Sequence, residues 1–326
     1  MPKPMLADLV PGTAVTAPFV VAEIKLAPFR NKPGQYLDLR LADRSGDIPA
    51  RMWEGAEEAA AGIETGMIVL VDARVDDYKG EKQLVLASLR RARPEEYDYA
   101  DFVRVAARAV EEMAAELDAL VASVENPHLQ QLLGQIFAAG EFRERFLLSP
   151  AAERLHHACV GGLLQHTLSV AAICREAVQV HPELDRDLLL AGALLHDVGK
   201  VWELGGDLTY DYTDAGRLFG HIVLTDRFVT RQIEQVEDFP PRLGDLLTHV
   251  LLSHHGQLDW GAPIRPALPE AMALHYADNL DAKLQIAADF LASPEAQQPG
   301  HWTKRHWHLE TRLYQGPRDE EDEGQG

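Results

Sequence analysis

The stretch LLLAGALLHDVGK, residues 188–200, decides the fold of the larger part of the chain. Its run of small and apolar residues lacks a polar face and indicates a helix that is buried all round. His196 and Asp197 follow this run directly, and Gly199 suits a helix-ending turn. The stretch therefore predicts a helical domain that carries polar side chains at the end of a buried helix.

Outward from this stretch, histidine and aspartate recur between residues 166 and 278 in the order H, HD, H, HH, D. Histidine and carboxylate are ligands for first-row divalent metals, and a carboxylate can bridge two ions where a histidine cannot. The adjacent His-Asp pair therefore suits a two-metal site. The positions in this order are His166, His196, Asp197, His221, His254, His255 and Asp278.

Each position also has a purely structural explanation. A lone histidine on an apolar helix, such as His166 or His221, is more often a packed or surface residue than a ligand. His254 and His255 are compatible with capping a helix C-terminus, and Asp278 with a solvated helix face. The joint occurrence of these residues in one ordered spacing favours a metal site.

A site of this composition predicts hydrolysis of phosphate esters. Divalent ions acidify water, which becomes a nucleophile near neutral pH. Lys200 lies four residues after His196, and we expect its ammonium group to hold a phosphate oxygen where negative charge develops. Asp197 and Lys200 are the residues to which we assign catalysis.

The order of these residues, with Lys200 completing the motif HDVGK, resembles the HD-domain metal-dependent phosphohydrolases. Finer motifs are similar to those of the YhaM-type 3′-to-5′ exoribonucleases, which join an N-terminal OB-fold to a C-terminal HD domain. These motifs are LHHA (155–158) before GGLLQH (161–166), YT (212–213) before LFGH (218–221), LLSHHG (251–256) with WG (260–261), and HYADNLDAK (275–283). The resemblance covers most of the chain.

The resemblance implies a role for each position. Metal ligation falls to His166, His196, Asp197, His221, His254 and Asp278. His255 is implied as a further ligand or a phosphate contact, and His156 and His157 as substrate contacts beside the site, with a buried structural pair as the alternative. The implied cofactor is a pair of divalent ions, Mn first, with Fe, Co, Ni, Zn and Mg as alternatives. The Trp302–His308 segment and the acidic tail depart from the family pattern.

The first part of the chain is β-like. Short runs that alternate apolar and polar residues are separated by turns, most clearly YLDLRLAD (36–43). The run LADRSGDIPARMW (41–53) is similar to the strand-turn-strand of OB-folds in nucleic-acid enzymes. The predicted strands are 17–26, 35–42, 47–53, 67–75 and 83–88. We therefore predict a multidomain protein, with an N-terminal all-β OB-fold barrel followed by an all-α HD-domain helical bundle.

The change from alternating to helical periodicity places a domain boundary near residue 95. The predicted organisation is an OB-fold domain over 1–94, a helical linker over 95–148, an HD domain over 149–315 and an acidic disordered tail over 316–326. Ser149 followed by Pro150 predicts a helix start.

An OB-fold binds single strands through stacked aromatic rings and a cationic groove. Single-stranded RNA is the expected partner, with single-stranded DNA as an alternative. Core packing is the competing explanation for Tyr36 and Trp53, and the loop cations are ordinary solvated charges unless they cluster. The residues predicted to bind substrate are Arg30, Lys32, Trp53, Lys79 and Lys82, and further candidates are Phe29, Tyr36, Arg40, Arg51 and Tyr78.

The formal charge of −20 argues against a nucleic-acid partner at first sight. Residues 1–94 are neutral, however, with 13 basic and 13 acidic residues, so the rest of the chain, with 18 basic and 38 acidic residues, carries the whole charge. Two rival functions stay open: an HD hydrolase that acts on a small nucleotide, and a non-catalytic single-strand-binding regulator.

Cys159 and Cys174 are the two cysteines, predicted on one apolar helix, which argues against a disulfide framework. The sequence lacks a run of about 18 apolar residues and a basic N-terminal region followed by an apolar one. We expect a cytoplasmic protein without membrane contact. A homo-oligomer is compatible with the sequence.

Overall fold

The computed structural model describes residues 3–29, 33–78, 80–98, 101–102, 106, 108–152, 159–205, 211–293, 296 and 300–316. The chain divides into two compact units. The first comprises Met1–Val105 with Gly205–Asp211, and the second comprises Ala106–Leu204 with Tyr212–Gly326. Within the described residues, none of the helices combines the length and the apolar character needed to cross a bilayer.

The first unit is a closed barrel of five strands. They are β1 (Ala14–Pro28), β2 (Gln35–Asp43), β3 (Gly46–Met52), β4 (Ile68–Tyr78) and β5 (Glu81–Arg91), with a short helix α1 (Ala56–Ala60) after β3. The strand order around the barrel is β1-β2-β3-β5-β4. Neighbours are antiparallel except for β3 and β5, whose parallel pairing closes the barrel. This five-stranded closure confirms the predicted OB-fold. Most strand ends lie one to three residues beyond the predicted ones, whereas β3 ends one residue earlier, at Met52, and β4 begins one residue later, at Ile68.

The alternation in β2 builds the core of the barrel. Leu37, Leu39 and Leu41 are buried, whereas the residues between them are half-buried. Strand β1 is long enough to pair with both β2 and β4, and a register shift between Val21 and Glu23 lies within its pairing to β2. Such a shift bends a strand and allows a sheet to close on itself.

The second unit is helical, which confirms the predicted class. Its helices are α2 (Val110–Ala122), α3 (Pro127–Ile136), α4 (Glu141–Leu148), α5 (Gly162–Val180), α6 (Arg186–Leu195), α7 (Lys200–Glu203), α8 (Asp214–Ile233), α9 (Pro241–Ser253) and α10 (Pro269–Ala292). Two very short strands, β6 (Leu204–Gly205) and β7 (Asp211–Tyr212), follow α7.

Helix α6 is the central helix of this unit. Every residue from Leu188 to Leu195 is buried, and the helix packs against α5, α9 and α10. A Cβ atom added at Gly192 would lie 2.5 Å from Cγ1 of Val250, so α6 and α9 approach more closely than a larger residue permits. The apolar run thus places the end of α6 inside the bundle.

The predicted helix start at Ser149 and Pro150 is wrong. Ser149 instead closes α4, because its amide and its Oγ both donate to the carbonyl oxygen of Arg145. Pro150 lacks the amide that would extend α4. The next helix described is α5, and Cys159 therefore lies outside the helix that carries Cys174.

Candidate metal centre

The centre lies where α6 ends. His196 caps this helix and Asp197, only 2% exposed, follows it. Gly199 has ordinary right-handed backbone angles, so it is required for space and not for a left-handed turn. A Cβ atom there would lie 2.2 Å from the carbonyl oxygen of His221. The amide of Gly199 donates a hydrogen bond to Oγ1 of Thr225 at 2.9 Å. This close approach brings α8 against the end of α6.

The two carboxylate oxygens of Asp197 face two groups of histidines. Oδ2 lies 3.5 Å from Nε2 of His166 and 3.4 Å from Nε2 of His196. Oδ1 lies 3.4 Å from Nε2 of His221 and 3.7 Å from Nε2 of His254. Asp197 therefore lies between the two histidine groups, with one carboxylate oxygen toward each.

Asp278 and His255 complete the two groups. Oδ1 of Asp278, on α10, lies 3.2 Å from Nε2 of His166. Nε2 of His255, just after α9, lies 3.2 Å from Nε2 of His221. The ligand atoms of His166, His196 and Asp197 lie within 4.8 Å of one another, and so do those of His221, His254 and His255. The structure therefore brings together all seven positions of the sequence pattern.

The five histidines turn the same nitrogen toward the centre. In each of them Nδ1 donates a hydrogen bond away from it, which turns Nε2 toward the centre, as is usual in metal-binding histidines. The acceptors are Oδ2 of Asp281 for His166 (2.7 Å), the carbonyl of Ala193 for His196 (2.8 Å), Oε1 of Glu203 for His221 (3.0 Å), the carbonyl of Leu251 for His254 (2.7 Å) and the carbonyl of Trp260 for His255 (2.7 Å).

Two buried atoms at the centre, Oδ1 of Asp197 and Nε2 of His254, lack a hydrogen-bond partner among the described residues. Buried polar atoms nearly always find a partner. A divalent ion would satisfy both, because an ionised carboxylate and a neutral imidazole are its ordinary ligands. The residues present therefore fit a divalent metal.

The electrostatics largely favour the metal-binding states. Burial raises the pKa of Asp197, but the nearby Lys200 and His196 outweigh it and hold that pKa well below its usual range. Burial lowers the pKa of His254 well below its ordinary value, so its imidazole is neutral and does not act as a cationic helix cap. Burial also lowers the pKa of His166, yet its hydrogen bonds to carboxylates, Asp197 first, raise it above the ordinary value. A proton there must leave when an ion binds.

Comparison with known proteins identifies the family. Residues 163–283 match the HD domain family. The chain is 33% identical over 290 residues to the 3′-5′ exoribonuclease YhaM of Oceanobacillus iheyensis, covering 89% of this chain and 90% of the relative. It is 36% identical over 284 residues to YhaM of Bacillus subtilis, covering 86% of this chain and 88% of the relative. The chain belongs to the YhaM family.

A domain of replication protein A from Methanococcus maripaludis is also similar, at 22% identity over 27% of this chain and 93% of that chain, with a TM-score of 0.24. The OB-fold of this YhaM-family chain is assigned from its own strand order.

Sequence reasoning did not assign two carboxylates that orient ligands in this YhaM-family centre. Asp281 lies three residues after Asp278, a spacing that places both on one side of α10 and could have indicated its role. Glu203 lies 18 residues before His221 and accepts hydrogen bonds from both its amide and its Nδ1. The packing of α8 against α7 brings them together, so the sequence held no signal for Glu203.

Three of the four aromatic candidates of the barrel form a cluster. The ring of Trp53 lies 4.9 Å from that of Tyr36 and 6.2 Å from that of Phe29. Trp53 is 41% exposed, which argues against core packing as its role. Nζ of Lys82 contacts the carbonyl of Ala7 at 3.4 Å. The other predicted substrate residues, Arg30, Lys32, Lys79, His156 and His157, lie outside the described residues.

Proposed function

We propose that this YhaM-family protein is a metal-dependent exoribonuclease that hydrolyses single-stranded RNA from the 3′ end and releases nucleoside monophosphates. The observation that carries the proposal is the buried Asp197, whose two oxygens face separate histidine groups in a chain of this family. The relatives compared above are named 3′-5′ exoribonucleases.

The ligand set suits two divalent ions that share Asp197. His166, His196 and Asp278 would complete one site, and His221, His254 and His255 would complete the other. We propose Mn as the ion, with Fe, Co, Ni, Zn and Mg as alternatives for these ligands. When bound, such ions polarise phosphate oxygens and lower the pKa of water.

We assign substrate binding at the centre to Lys200. Its ammonium group has three donors, and one of them faces Oδ2 of Asp197 at 2.7 Å. The others can hold a phosphate oxygen and balance the negative charge that grows during hydrolysis. We include His255 among the metal ligands, because its Nε2 lies 3.2 Å from Nε2 of His221.

We assign strand binding to the aromatic face of the barrel. Exposed rings stack on bases without strong sequence preference, which suits an enzyme that proceeds along a strand. Trp53, Tyr36 and Phe29 form that face. Arg30 and Lys32 flank it in sequence, and with Lys79 and Lys82 they supply the cations for phosphates.

A 5′-labelled oligoribonucleotide incubated with the protein and Mn²⁺ tests the proposal. We expect a ladder that shortens from the 3′ end and mononucleotide products, with single-stranded DNA assayed beside it. Asp197→Ala should abolish cleavage while binding through the barrel survives. Asp245→Asn, which changes an exposed carboxylate on α9, is the matched control and should cleave at the unmodified rate.

Two outcomes would contradict parts of the proposal. Cleavage by metal-free Asp197→Ala protein would remove the metal assignment. Intact RNA together with hydrolysis of members of a nucleotide panel would favour a small-nucleotide hydrolase, a substrate class compatible with the net charge of −20.

A further inference from the structure

The C-terminal segment 300–316, which contributes no ligand to the metal centre, forms a folded hairpin of its own. Trp302 pairs with Tyr314 in an antiparallel bridge. The amide of Thr303 donates to the carbonyl of Leu313 at 2.9 Å, and the amide of Leu313 donates to Oγ1 of Thr303 at 2.9 Å. Thr303 is fully buried, so one face of the hairpin packs inward.

The hairpin is anchored on α10, the helix that carries Asp278. Nζ of Lys283 donates to the carbonyl oxygen of His308 at 2.5 Å. The ring of His306 lies 4.6 Å from that of Phe290. One helix therefore holds both a residue of the metal centre and this hairpin.

The outer face of the hairpin combines aromatic rings with cations. Lys304 and Arg312 lie on the two arms, between the bridge that joins Trp302 to Tyr314 and the bridge that joins His306 to Thr311. Trp302 is 54% exposed and Tyr314 is 56% exposed, with ring centroids 5.4 Å apart. Lys304 and Arg312 are exposed as well. Along the two arms these exposed side chains alternate with the buried Thr303 and the half-buried Leu313, which places them on the outer side.

The composition of this face suits an anionic ligand. Segment 300–316 holds three basic residues and one acidic residue, although the chain as a whole carries −20. A single-stranded nucleic acid offers phosphates to such cations and base faces to the neighbouring rings.

We propose that Trp302, Lys304, Arg312 and Tyr314 form a second binding surface for single-stranded RNA, distinct from the barrel. This inference rests on the proposed exoribonuclease function. The surface belongs to the unit that carries the metal centre, so it retains RNA on that unit independently of the aromatic face of the barrel. Its contribution is confined to strands long enough to reach it.

Equilibrium binding of a fluorescent oligouridylate to the full chain, in the Asp197→Ala background, tests the surface. Trp302→Ala should weaken binding about tenfold, the size expected for loss of one stacked base. Lys304→Gln with Arg312→Gln should weaken binding and lower the slope of log affinity against log salt by about 1.4, since each lost phosphate contact with a single strand contributes about 0.7. Both changed cations are exposed, so this variant tests the surface even where Trp302→Ala impairs folding.

Trp307→Ala is the matched control. Trp307 is 69% exposed on the same segment but lies beyond the paired arms, next to His308, and its removal should leave RNA affinity unchanged. In the cleaving enzyme, the Trp302 and double-cation variants should raise KM for a long RNA while KM for a dinucleotide and kcat stay the same.

Unchanged affinity in both surface variants would overturn the proposal. The proposal would also be overturned if the surface variants changed the oligomeric state, measured by size-exclusion chromatography with light scattering, but not the RNA affinity. The face would then contact a second copy of the chain. The unmodified protein is assayed in parallel. If the unmodified protein cleaves RNA and the surface variants bind RNA with the same affinity as it does, only the proposed hairpin surface is wrong. If the unmodified protein neither binds nor cleaves RNA, the proposed function itself is wrong.

Discussion

Nζ of Lys200 lies 2.7 Å from Oδ2 of Asp197, the carboxylate that faces both histidine groups. Burial lowers the pKa of Lys200, yet the negative charge of Asp197 outweighs it and raises that pKa above the ordinary value. The ammonium group therefore stays charged in a buried position. A permanent cation beside the shared carboxylate is suited to a substrate that brings negative charge.

Lys200→Met tests this cation. We expect kcat to fall by about a hundredfold or more, as when a donor to developing negative charge is removed. The bound metal, measured by elemental analysis, should stay the same because every ligand remains. Lys200→Arg keeps the charge and should retain part of the activity. An unaltered kcat in Lys200→Met would exclude a role for the cation in the reaction.

Asp281→Asn and Glu203→Gln test the carboxylates that orient His166 and His221. Each change keeps the shape of the side chain but removes the charge that receives Nδ1–H, and such losses lower metal affinity by about 10- to 100-fold. Titration of activity with Mn²⁺ should shift to higher concentration for both variants, whereas Asp245→Asn should titrate like the unmodified protein. Identical titration curves for all would mean that these carboxylates do not support the ligands.

The two fold classes and the burial of the His196-Asp197 pair were predictable because their signals are local. The apolar run 188–195 requires a buried helix, and a buried helix that ends in His-Asp must satisfy both side chains inside the protein. The β2 alternation around Leu37 and Leu39 likewise requires a sheet with one buried face. Glu203 was not predictable, since its contact with His221 depends on the packing of α8 against α7.

Other features could not be predicted, for a different physical reason. Ser149 was misassigned because a serine hydroxyl can satisfy either helix end, and the sequence alone does not say which one. The segment around Trp302 stood out in composition, but its outer face depends on a register that composition does not encode. Which residues share a surface is therefore decided by pairing.

Cys174 provides a test by pH. Burial, reinforced by the negative charge of Asp278, raises the pKa of its thiol from the ordinary value of 9.0 to about 12. The thiolate, which is the reactive form, is therefore scarce in the folded protein below that pH. With Cys159→Ser, we expect Ellman's reagent to find one thiol in denaturant and almost no reaction in the folded protein at pH 8. As the pH rises, this thiol loses its proton near pH 9 in the unfolded chain but only near pH 12 in the folded protein. Its contribution to the free energy of unfolding is therefore complete below about pH 9 and is lost as the pH rises toward 12. Rapid labelling of the folded variant at pH 8 would contradict the burial of this thiol.

Gly199→Ala tests the close approach that assembles the centre. The added Cβ atom would lie 2.2 Å from the carbonyl oxygen of His221 and 2.6 Å from the amide nitrogen of Thr225, and these backbone atoms cannot move without displacing α8. We expect the free energy of unfolding to fall by about 1–3 kcal/mol, the usual cost of overpacking. The amount of bound Mn²⁺ should fall as well, because His221 moves away from Asp197.

Gly244→Ala is the control, because on α9 its Cβ atom would lie 3.8 Å from the ring of Phe239. Since alanine favours helices over glycine by about 1 kcal/mol, that variant should be as stable as the unmodified protein or more stable in urea unfolding. Equal stability and equal metal content in the two variants would show that contact between the HDVGK turn and α8 does not hold the two histidine groups together.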